Sequence, residues 1–169
     1  MNKEVLNRSG FSLSEMETVR WGLIWKVTRY TYASDPVAPL TYFDGEFYRR
    51  PDNKYRTDGR SIPPPVQALP GYGQFDSING FFHDSGYIHG GEWRSRSNLG
   101  PWKFVEMDQR AVDREYLEIG REDGQPLLAR VPQFALLRAF GRRAWKHYRE
   151  ANKLHYHEQM EAFTSRSEK

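Results

Sequence analysis

The stretch Thr41-Tyr42-Phe43-Asp44-Gly45-Glu46-Phe47-Tyr48 indicates the fold of the N-terminal third of the chain. Two aromatic runs lie on either side of an Asp-Gly dipeptide, which is a strong signal for a tight turn between antiparallel strands. Before it, residues 21–32 are rich in Trp, Val, Thr and Tyr, which favour strands. Pro36 and Pro39 end that segment because proline has no amide hydrogen for a sheet. We therefore predict a small N-terminal antiparallel sheet containing a hairpin.

Helical patterns follow in the second half of the chain. Asp76 is suited to cap a helix whose apolar face includes Phe81, because an aspartate accepts hydrogen bonds from free amides at a helix start. Asp108 similarly predicts a helix over residues 109–121, and a third helix is predicted from about residue 133 into the 150s. The predicted fold class is α+β, with the small N-terminal antiparallel sheet packed on about three main helices.

Local patterns also give predictions for three irregular segments. Ser14-x-x-Glu17 matches a capping box and predicts a short helix over residues 15–20. Residues 51–74 are rich in proline and glycine, which predicts extended or looped chain. Residues 86–100 are rich in glycine and predict a long loop.

Length and composition limit the size and chemistry of the protein. A chain of 169 residues fits one domain, which we predict over residues 1–160 with a flexible C-terminal tail over residues 161–169. The chain has no cysteine, which excludes disulfides, thiol catalysis and cysteine-ligated zinc. A formal charge of +3 is too small to indicate nucleic-acid binding by itself. No signal-peptide pattern or apolar run of about 20 residues occurs, so no membrane insertion is predicted.

Four polar or aromatic motifs occur in a defined order along the chain. They are Tyr55-Arg56-Thr57-Asp58-Gly59-Arg60-Ser61-Ile62-Pro63, Phe82-His83-Asp84-Ser85-Gly86-Tyr87, Asp108-Gln109-Arg110-Ala111-Val112-Asp113-Arg114-Glu115-Tyr116 and Ala139-Phe140-Gly141-Arg142-Arg143-Ala144-Trp145. In their order and spacing they resemble a phage and prophage family catalogued as a domain of unknown function, number thirteen fifty-three. The resemblance covers roughly residues 21–146 and departs from the usual pattern at Arg60, Gln109 and Val112.

This resemblance implies a biological setting and no particular reaction. It implies a phage or prophage origin, often among late genes for particle assembly or lysis. The expected location is therefore the host cytoplasm or the virion, and the expected partners are other phage proteins.

Asp58, His83 and Asp113 are the predicted catalytic residues, and these three together with Asp84 are the predicted ligands of a divalent metal. Carboxylates and an imidazole suit Zn, Mn or Mg, and such a metal lowers the pKa of bound water toward neutrality. This pattern favours a metal-assisted hydrolase. On a helical wheel His83 lies away from Phe81, so it is expected to face a groove or solvent. Asp113 falls within an apolar arc, so it needs a buried partner.

A structural interpretation of the same residues is the main alternative. Asp113 would form an ion pair with Arg110 or Arg114. Asp58 would form a local turn, and His83 would bond a carboxylate and so join two elements. No tightly spaced metal motif such as H-E-x-x-H is present. Under this interpretation the protein is a non-catalytic virion structural or assembly protein that binds neighbouring subunits, with no cofactor.

Other sequence features suggest further chemistry. Asp58 paired with Asp113 or Glu115 would suit a glycosidase, which needs two carboxylates about 5–9 Å apart. Ser61 and Ser85 lie near the acidic motifs and could supply a serine nucleophile, although neither has the G-x-S-x-G pattern. His89 could add a metal ligand or a proton shuttle.

A separate binding surface is predicted from arginines and tryptophans, because guanidinium groups bind phosphates and indoles stack on bases or sugar rings. Nucleic acid and cell-wall glycan are the ligands that such a surface would suit. The predicted binding residues are Trp93, Arg94, Arg96, Trp102 and Arg110.

Overall fold

The computed structural model describes the backbone of residues 3–21, 25–57 and 78–167, and the side chains of residues 3–14, 30–55, 57 and 78–151. In these residues the chain forms the strands β1 (Glu4–Leu6), β2 (Phe11–Trp21), β3 (Trp25–Ser34), β4 (Thr41–Phe43), β5 (Tyr48–Arg50), β6 (Lys54–Thr57), β7 (Gly91–Ser95) and β8 (Lys103–Glu106), and the helices α1 (Ile78–His89), α2 (Gln109–Glu122) and α3 (Leu127–Ser167). Asp58 and Asp76 lie outside the described residues, so the predictions made for them stay predictions.

Two antiparallel sheets carry the described strands. A five-stranded sheet has the order β1-β4-β5-β7-β8, and a three-stranded sheet has the order β2-β3-β6. The helix α1 contacts α2, α3, β6 and β7, while α2 and α3 also pack against each other. The predicted α+β class, with an N-terminal antiparallel sheet and three helices, is confirmed.

The predicted hairpin around Asp44-Gly45 is confirmed by the antiparallel pairing of β4 with β5. The Asp44 carboxylate accepts hydrogen bonds from the backbone amides of Glu46 and Phe47, at 2.9 and 2.7 Å. Gly45 has φ of 100°, a backbone conformation that side chains with a Cβ rarely adopt. The dipeptide therefore makes the turn because Asp44 accepts hydrogen bonds from the turn amides and Gly45 adopts a positive φ.

The short helix predicted over residues 15–20 is wrong, because this segment lies within strand β2. The strand β2 pairs with β3 from Phe11 opposite Ser34 to Trp21 opposite Trp25. This long antiparallel pairing satisfies the backbone amides that a capping serine would otherwise serve. The predicted strand over residues 21–32 is shifted as well, since β3 begins four residues later.

The long loop predicted over residues 86–100 is also wrong in its first ten residues. The helix α1 continues to His89, and β7 begins immediately after Gly90. Gly90 has φ of 77°, a backbone conformation that glycine adopts readily and that commonly ends a helix. The strand β7 then pairs with β5 on one side and β8 on the other, and this pairing holds the segment in the sheet.

The predicted boundaries of the other elements are closer to those observed. Asp108 caps α2 as predicted, accepting a hydrogen bond from the Ala111 amide at 2.7 Å. The last helix begins at Leu127, earlier than predicted, and extends to Ser167. The flexibility of residues 161–169 stays a prediction. Residues 54–57, predicted as extended or looped, pair with β3 as strand β6.

The core of the described region is aromatic and lies between the sheets and α1. Tyr32 is stacked with Phe11 and Tyr55, at ring-centroid distances of 5.5 and 4.7 Å, and Phe81 of α1 packs on the same group. The hydroxyl of Tyr55 donates a hydrogen bond to the Phe81 carbonyl at 2.5 Å. This core holds α1 against β3 and β6, and it places the opposite side of α1 toward α2 and α3.

Within the described residues, no helix combines the length and apolar character needed to cross a membrane.

Candidate functional site

His83 lies on the side of α1 that faces the other two helices. Its expected position in a groove or at the solvent is wrong, since its side chain is only 1% exposed. The sequence pattern placed it away from Phe81 correctly, but α2 and α3 cover that side as well. A buried imidazole needs polar partners because its unpaired nitrogens lose their hydrogen bonds to water.

Asp113 of α2 is the partner of one imidazole nitrogen. His83 Nε2 lies 3.2 Å from Asp113 Oδ1, and because an ionised carboxylate only accepts, the nitrogen donates. The hydroxyl of Tyr87 donates to the same oxygen at 2.6 Å, and Arg138 Nη1 donates to Oδ2 at 2.6 Å. Gln109 in turn donates to the Tyr87 hydroxyl at 3.0 Å. This network joins all three helices.

These contacts change the acidity of both buried groups. Burial by itself raises the pKa of Asp113, but the hydrogen bonds from His83, Tyr87 and Arg138 outweigh it, and the pKa lies below its ordinary value. Burial lowers the pKa of His83, whereas the interactions with Asp113 and Asp84 raise it, and the net pKa lies above its ordinary value. The prediction that Asp113 has a buried partner is confirmed.

The second imidazole nitrogen of His83 is in a different situation. Nδ1 is buried and has no hydrogen-bond partner among the residues that the structure describes. Its nearest carboxylate belongs to the next residue, Asp84, whose Oδ1 lies 3.8 Å away. The other carboxylate oxygen of Asp84 accepts a hydrogen bond from the Thr57 hydroxyl at the end of β6. Asp84 therefore lies between Nδ1 of His83 and Thr57, with one carboxylate oxygen toward each.

The four predicted metal ligands are thus brought together only in part. His83 Nδ1 lies 3.8 Å from Asp84 Oδ1. Asp113 contacts the other imidazole nitrogen, Nε2, and both of its carboxylate oxygens already accept hydrogen bonds. Asp58 follows directly after Thr57, outside the described residues. The residues described contain no group of three or more His, Asp or Glu that could hold a metal, so any such site needs a further ligand from elsewhere in the chain.

The cation paired with Asp113 is Arg138 of α3, which follows it by 25 residues in the sequence. Arg110 and Arg114, the alternatives considered from the sequence, are both exposed on α2. Sequence reasoning missed Arg138, because no local pattern links it to Asp113. It could have found Tyr87, which lies four residues after His83 and therefore on the same helical face.

The predicted arginine and tryptophan surface is divided between two faces of the five-stranded sheet. Trp93 and Arg94 are consecutive in β7, so their side chains point to opposite faces. Arg94 Nε donates to Glu92 at 2.6 Å. On the other side, the Trp102 ring stacks on the guanidinium of Arg50 at 3.8 Å.

The remaining predicted binding residues lie apart from this stack. Arg96 follows β7, with its guanidinium 5.7 Å from the ring of Phe47. Arg110 is exposed at the start of α2. The five residues therefore do not present one continuous set of side chains.

A second buried polar cluster was not predicted from the sequence. Arg49 of β5 donates to Glu92 at 2.5 Å through Nε and lies 2.7 Å from Glu115 of α2 through Nη2. Burial raises the pKa of Glu115 well above its ordinary value; Arg49 opposes this shift and Glu92 adds to it. Glu115 therefore belongs to this cluster, and it does not share a site with Asp113.

Two further candidates have structural partners. His89 Nδ1 lies 3.3 Å from a carboxylate oxygen of Asp52. The Ser85 hydroxyl accepts a hydrogen bond from the Asp52 amide at 2.8 Å. Both contacts fasten α1 to the segment before β6.

No family model, no curated protein and no solved structure matches this chain. The resemblance to the phage and prophage family therefore stays a prediction.

Proposed function

We propose that this protein is a phage-associated, metal-assisted hydrolase whose metal site is built on Nδ1 of His83. The observation that carries the proposal is the asymmetry of this imidazole. Nε2 is held by Asp113, while Nδ1 is buried, unpaired among the described residues and 3.8 Å from Asp84 Oδ1. A histidine that ligates a metal through one nitrogen commonly donates its other N–H to a carboxylate, which orients the ring.

The proposal assigns a separate role to each acidic residue. His83 and Asp84 are two ligands from α1, and Asp58 is the third, because it follows Thr57, which is hydrogen-bonded to Asp84. Asp113 is a positioning residue, since its oxygens already accept from His83, Tyr87 and Arg138. A nitrogen and two carboxylates suit Zn or Mn, and Mg to a lesser degree.

A divalent metal at this position would lower the pKa of bound water and so supply a nucleophile for hydrolysis. The chain's own contribution would be to hold the imidazole in one tautomer through Asp113. Arg138 and Tyr87 would in turn keep Asp113 ionised and fixed in place. The phage setting of the proposal derives from the resemblance of the four motifs.

A metal titration tests this proposal. The protein is stripped with a chelator, and its thermal unfolding is followed after addition of Zn, Mn or Mg. A ligand at 100 times its Kd stabilises the folded state by about 2.7 kcal/mol, which corresponds to roughly 5–10 °C for a chain of this size. We expect this shift in the wild type and its loss in His83→Ala, Asp84→Asn and Asp58→Asn.

His89→Ala is the matched control, because His89 is a partly buried histidine of the same helix with a carboxylate partner outside the site. We expect it to keep the metal-dependent shift. The proposal is wrong if no metal raises the melting temperature of the wild type, or if His83→Ala responds to metal as the wild type does.

The second candidate function is a non-catalytic virion or assembly protein that binds neighbouring subunits. It is favoured by the distribution of exposed apolar side chains: four of the six large ones among the described residues lie between residues 127 and 140 of α3. Soluble monomers rarely concentrate exposed apolar side chains in this way. Purified particles analysed by mass spectrometry would contain the protein at a fixed stoichiometry under this candidate, and its absence from particles would contradict it.

A further inference from the structure

The first half of α3 is apolar on two sides. Its inner side packs on the other helices, with Leu137 buried. Its outer side has an exposed row at helical spacings of three and four residues, formed by Leu128, Val131, Ala135 and Ala139. A concentration of exposed apolar side chains commonly marks a binding surface, so the outer side of α3 is expected to be covered by another molecule.

The exposure of individual side chains supports this expectation. Leu128 is 88% exposed, Val131 is 46% exposed, and the adjacent Leu127 and Phe140 are each 61% exposed. Ala135 and Ala139 lie between these larger side chains and are themselves exposed. Small residues in the middle of a row allow the axis of a second helix to approach closely.

Charge limits the kind of molecule that can cover this surface. Residues 127–149 contain six Lys or Arg and no Asp or Glu. Three of them, Arg142, Arg143 and Lys146, are exposed one turn beyond the apolar row. A second copy of this chain would place this basic turn against another basic turn if the two helices were parallel, or against the apolar row if they were antiparallel. In neither arrangement do residues 127–149 of the second copy supply an acidic residue to pair with these cations.

The order of the apolar row and the basic turn along α3 favours a partner helix over a membrane surface. Helices that lie on membranes have charges beside the apolar stripe along their whole length. In α3 the apolar row and the basic turn instead follow one another along the helix axis. A partner helix lying along α3, with an apolar face and acidic residues at one end, would match both segments.

We infer that the outer side of α3 binds an amphipathic helix of another protein that has an apolar face and an acidic end. This inference rests on the second candidate function, an assembly role, and is independent of the metal site.

A peptide titration with the 169-residue protein tests the inference. The probes are two fluorescent amphipathic peptides of about 20 residues, long enough to form a helix, with the same Leu/Ala face and with either Glu or Lys at one end. We expect the Glu peptide to bind at least about tenfold more tightly, and we expect its affinity to fall with salt because the contact is electrostatic.

Variants connect the binding to the proposed surface. The double variant Leu128→Ser/Val131→Ser should weaken binding of the Glu peptide by at least about tenfold. Leu99→Ser is the matched control, because Leu99 is an exposed leucine away from α3, and it should have no effect. Arg142→Glu/Arg143→Glu should reverse the preference, so that the Lys peptide binds more tightly. Circular dichroism confirms that each variant is folded.

The inference is overturned if the two peptides bind equally to the wild type or if neither binds. It is also overturned if sedimentation shows self-association that Leu128→Ser abolishes, or if phosphatidylserine vesicles bind the protein more tightly than the Glu peptide does. If the peptide titration fails but purified particles contain the protein, the inference about an acidic partner helix is wrong. The assembly role is then still supported.

Discussion

Asp113 Oδ1 and His83 Nε2 lie 3.2 Å apart across the interface between α1 and α2. Both side chains are buried, and Arg138 of α3 completes the group by donating to the other carboxylate oxygen at 2.6 Å. One carboxylate therefore connects three helices. The same contact fixes which imidazole nitrogen of His83 is available for a further ligand, so the stability of the fold and the proposed site depend on one residue.

Asp113→Asn should destabilise the fold by about 1–3 kcal/mol, because it removes the charged acceptor of the buried donors of His83 and Tyr87 and of the half-buried Arg138. Urea unfolding measures the change. Asp108→Asn is the matched control on the same helix, since asparagine caps a helix start as well as aspartate does. A loss of less than about 1 kcal/mol in Asp113→Asn would contradict the role given to this carboxylate.

Gly86→Ala should destabilise the protein by about 1–3 kcal/mol, although alanine has the higher helix propensity. A Cβ at this position would lie 2.7 Å from Cγ1 of Val112, a buried side chain whose β-branching makes it stiff. Denaturant unfolding of Gly86→Ala, Val112→Ala and the double variant measures the coupling. In the Val112→Ala background the glycine substitution should cost nothing or stabilise, and equal costs in both backgrounds would show that the contact is unimportant.

Glu115 should make the folding stability decrease as the pH rises. Burial raises its pKa in the folded state above the unfolded value, which is about 4.5. Its favourable contribution is therefore fully present below about pH 4.5 and is lost as the pH rises through the folded-state pKa. Glu115→Gln keeps an acceptor for Arg49 and cannot ionise.

The expected result is a difference between the two proteins that changes with pH. Relative to the wild type, Glu115→Gln should become more stable as the pH rises from about 4.5 to about 9, because only the wild type loses the contribution of a protonated carboxyl group. Urea unfolding at several pH values measures it. His83 and Asp113 titrate in both proteins, so subtracting the two curves removes their contribution. Parallel curves would mean that the pKa of Glu115 is not raised.

Arg149→Met should destabilise the end of α1 by about 1–2 kcal/mol. The Arg149 guanidinium donates to the carbonyls of Tyr87 and Ile88, which are among the last acceptors of that helix. Hydrogen exchange of the amides near Gly90 should become faster, and urea unfolding should show the global loss. Arg142→Met is the control, because Arg142 also lies in α3 and its side chain is exposed. It should change the stability by less than about 0.5 kcal/mol.

Local signals predicted the elements whose causes are local. The Asp44-Gly45 turn and the Asp108 cap were predicted from residues within three positions, and both are present because the hydrogen bonds that make them are formed within the segment itself. The predicted helix over residues 15–20 was wrong because strand β3, which pairs with that segment, competes with any helix start there. The segment after residue 90 was predicted to be a loop because its local sequence does not show that β5 and β8 pair with it.

The same division applies to the candidate site. The sequence alone indicated that Asp113 is a carboxylate within an apolar arc and that His83 lies on the side of its helix opposite Phe81. The tertiary structure decided that Arg138 and Tyr87 would be the partners of Asp113, and that the second nitrogen of His83 would face Asp84. Periodicity along a helix determines which side a residue occupies. The partner on that side depends on how three helices pack, and that packing is set by contacts between distant parts of the chain.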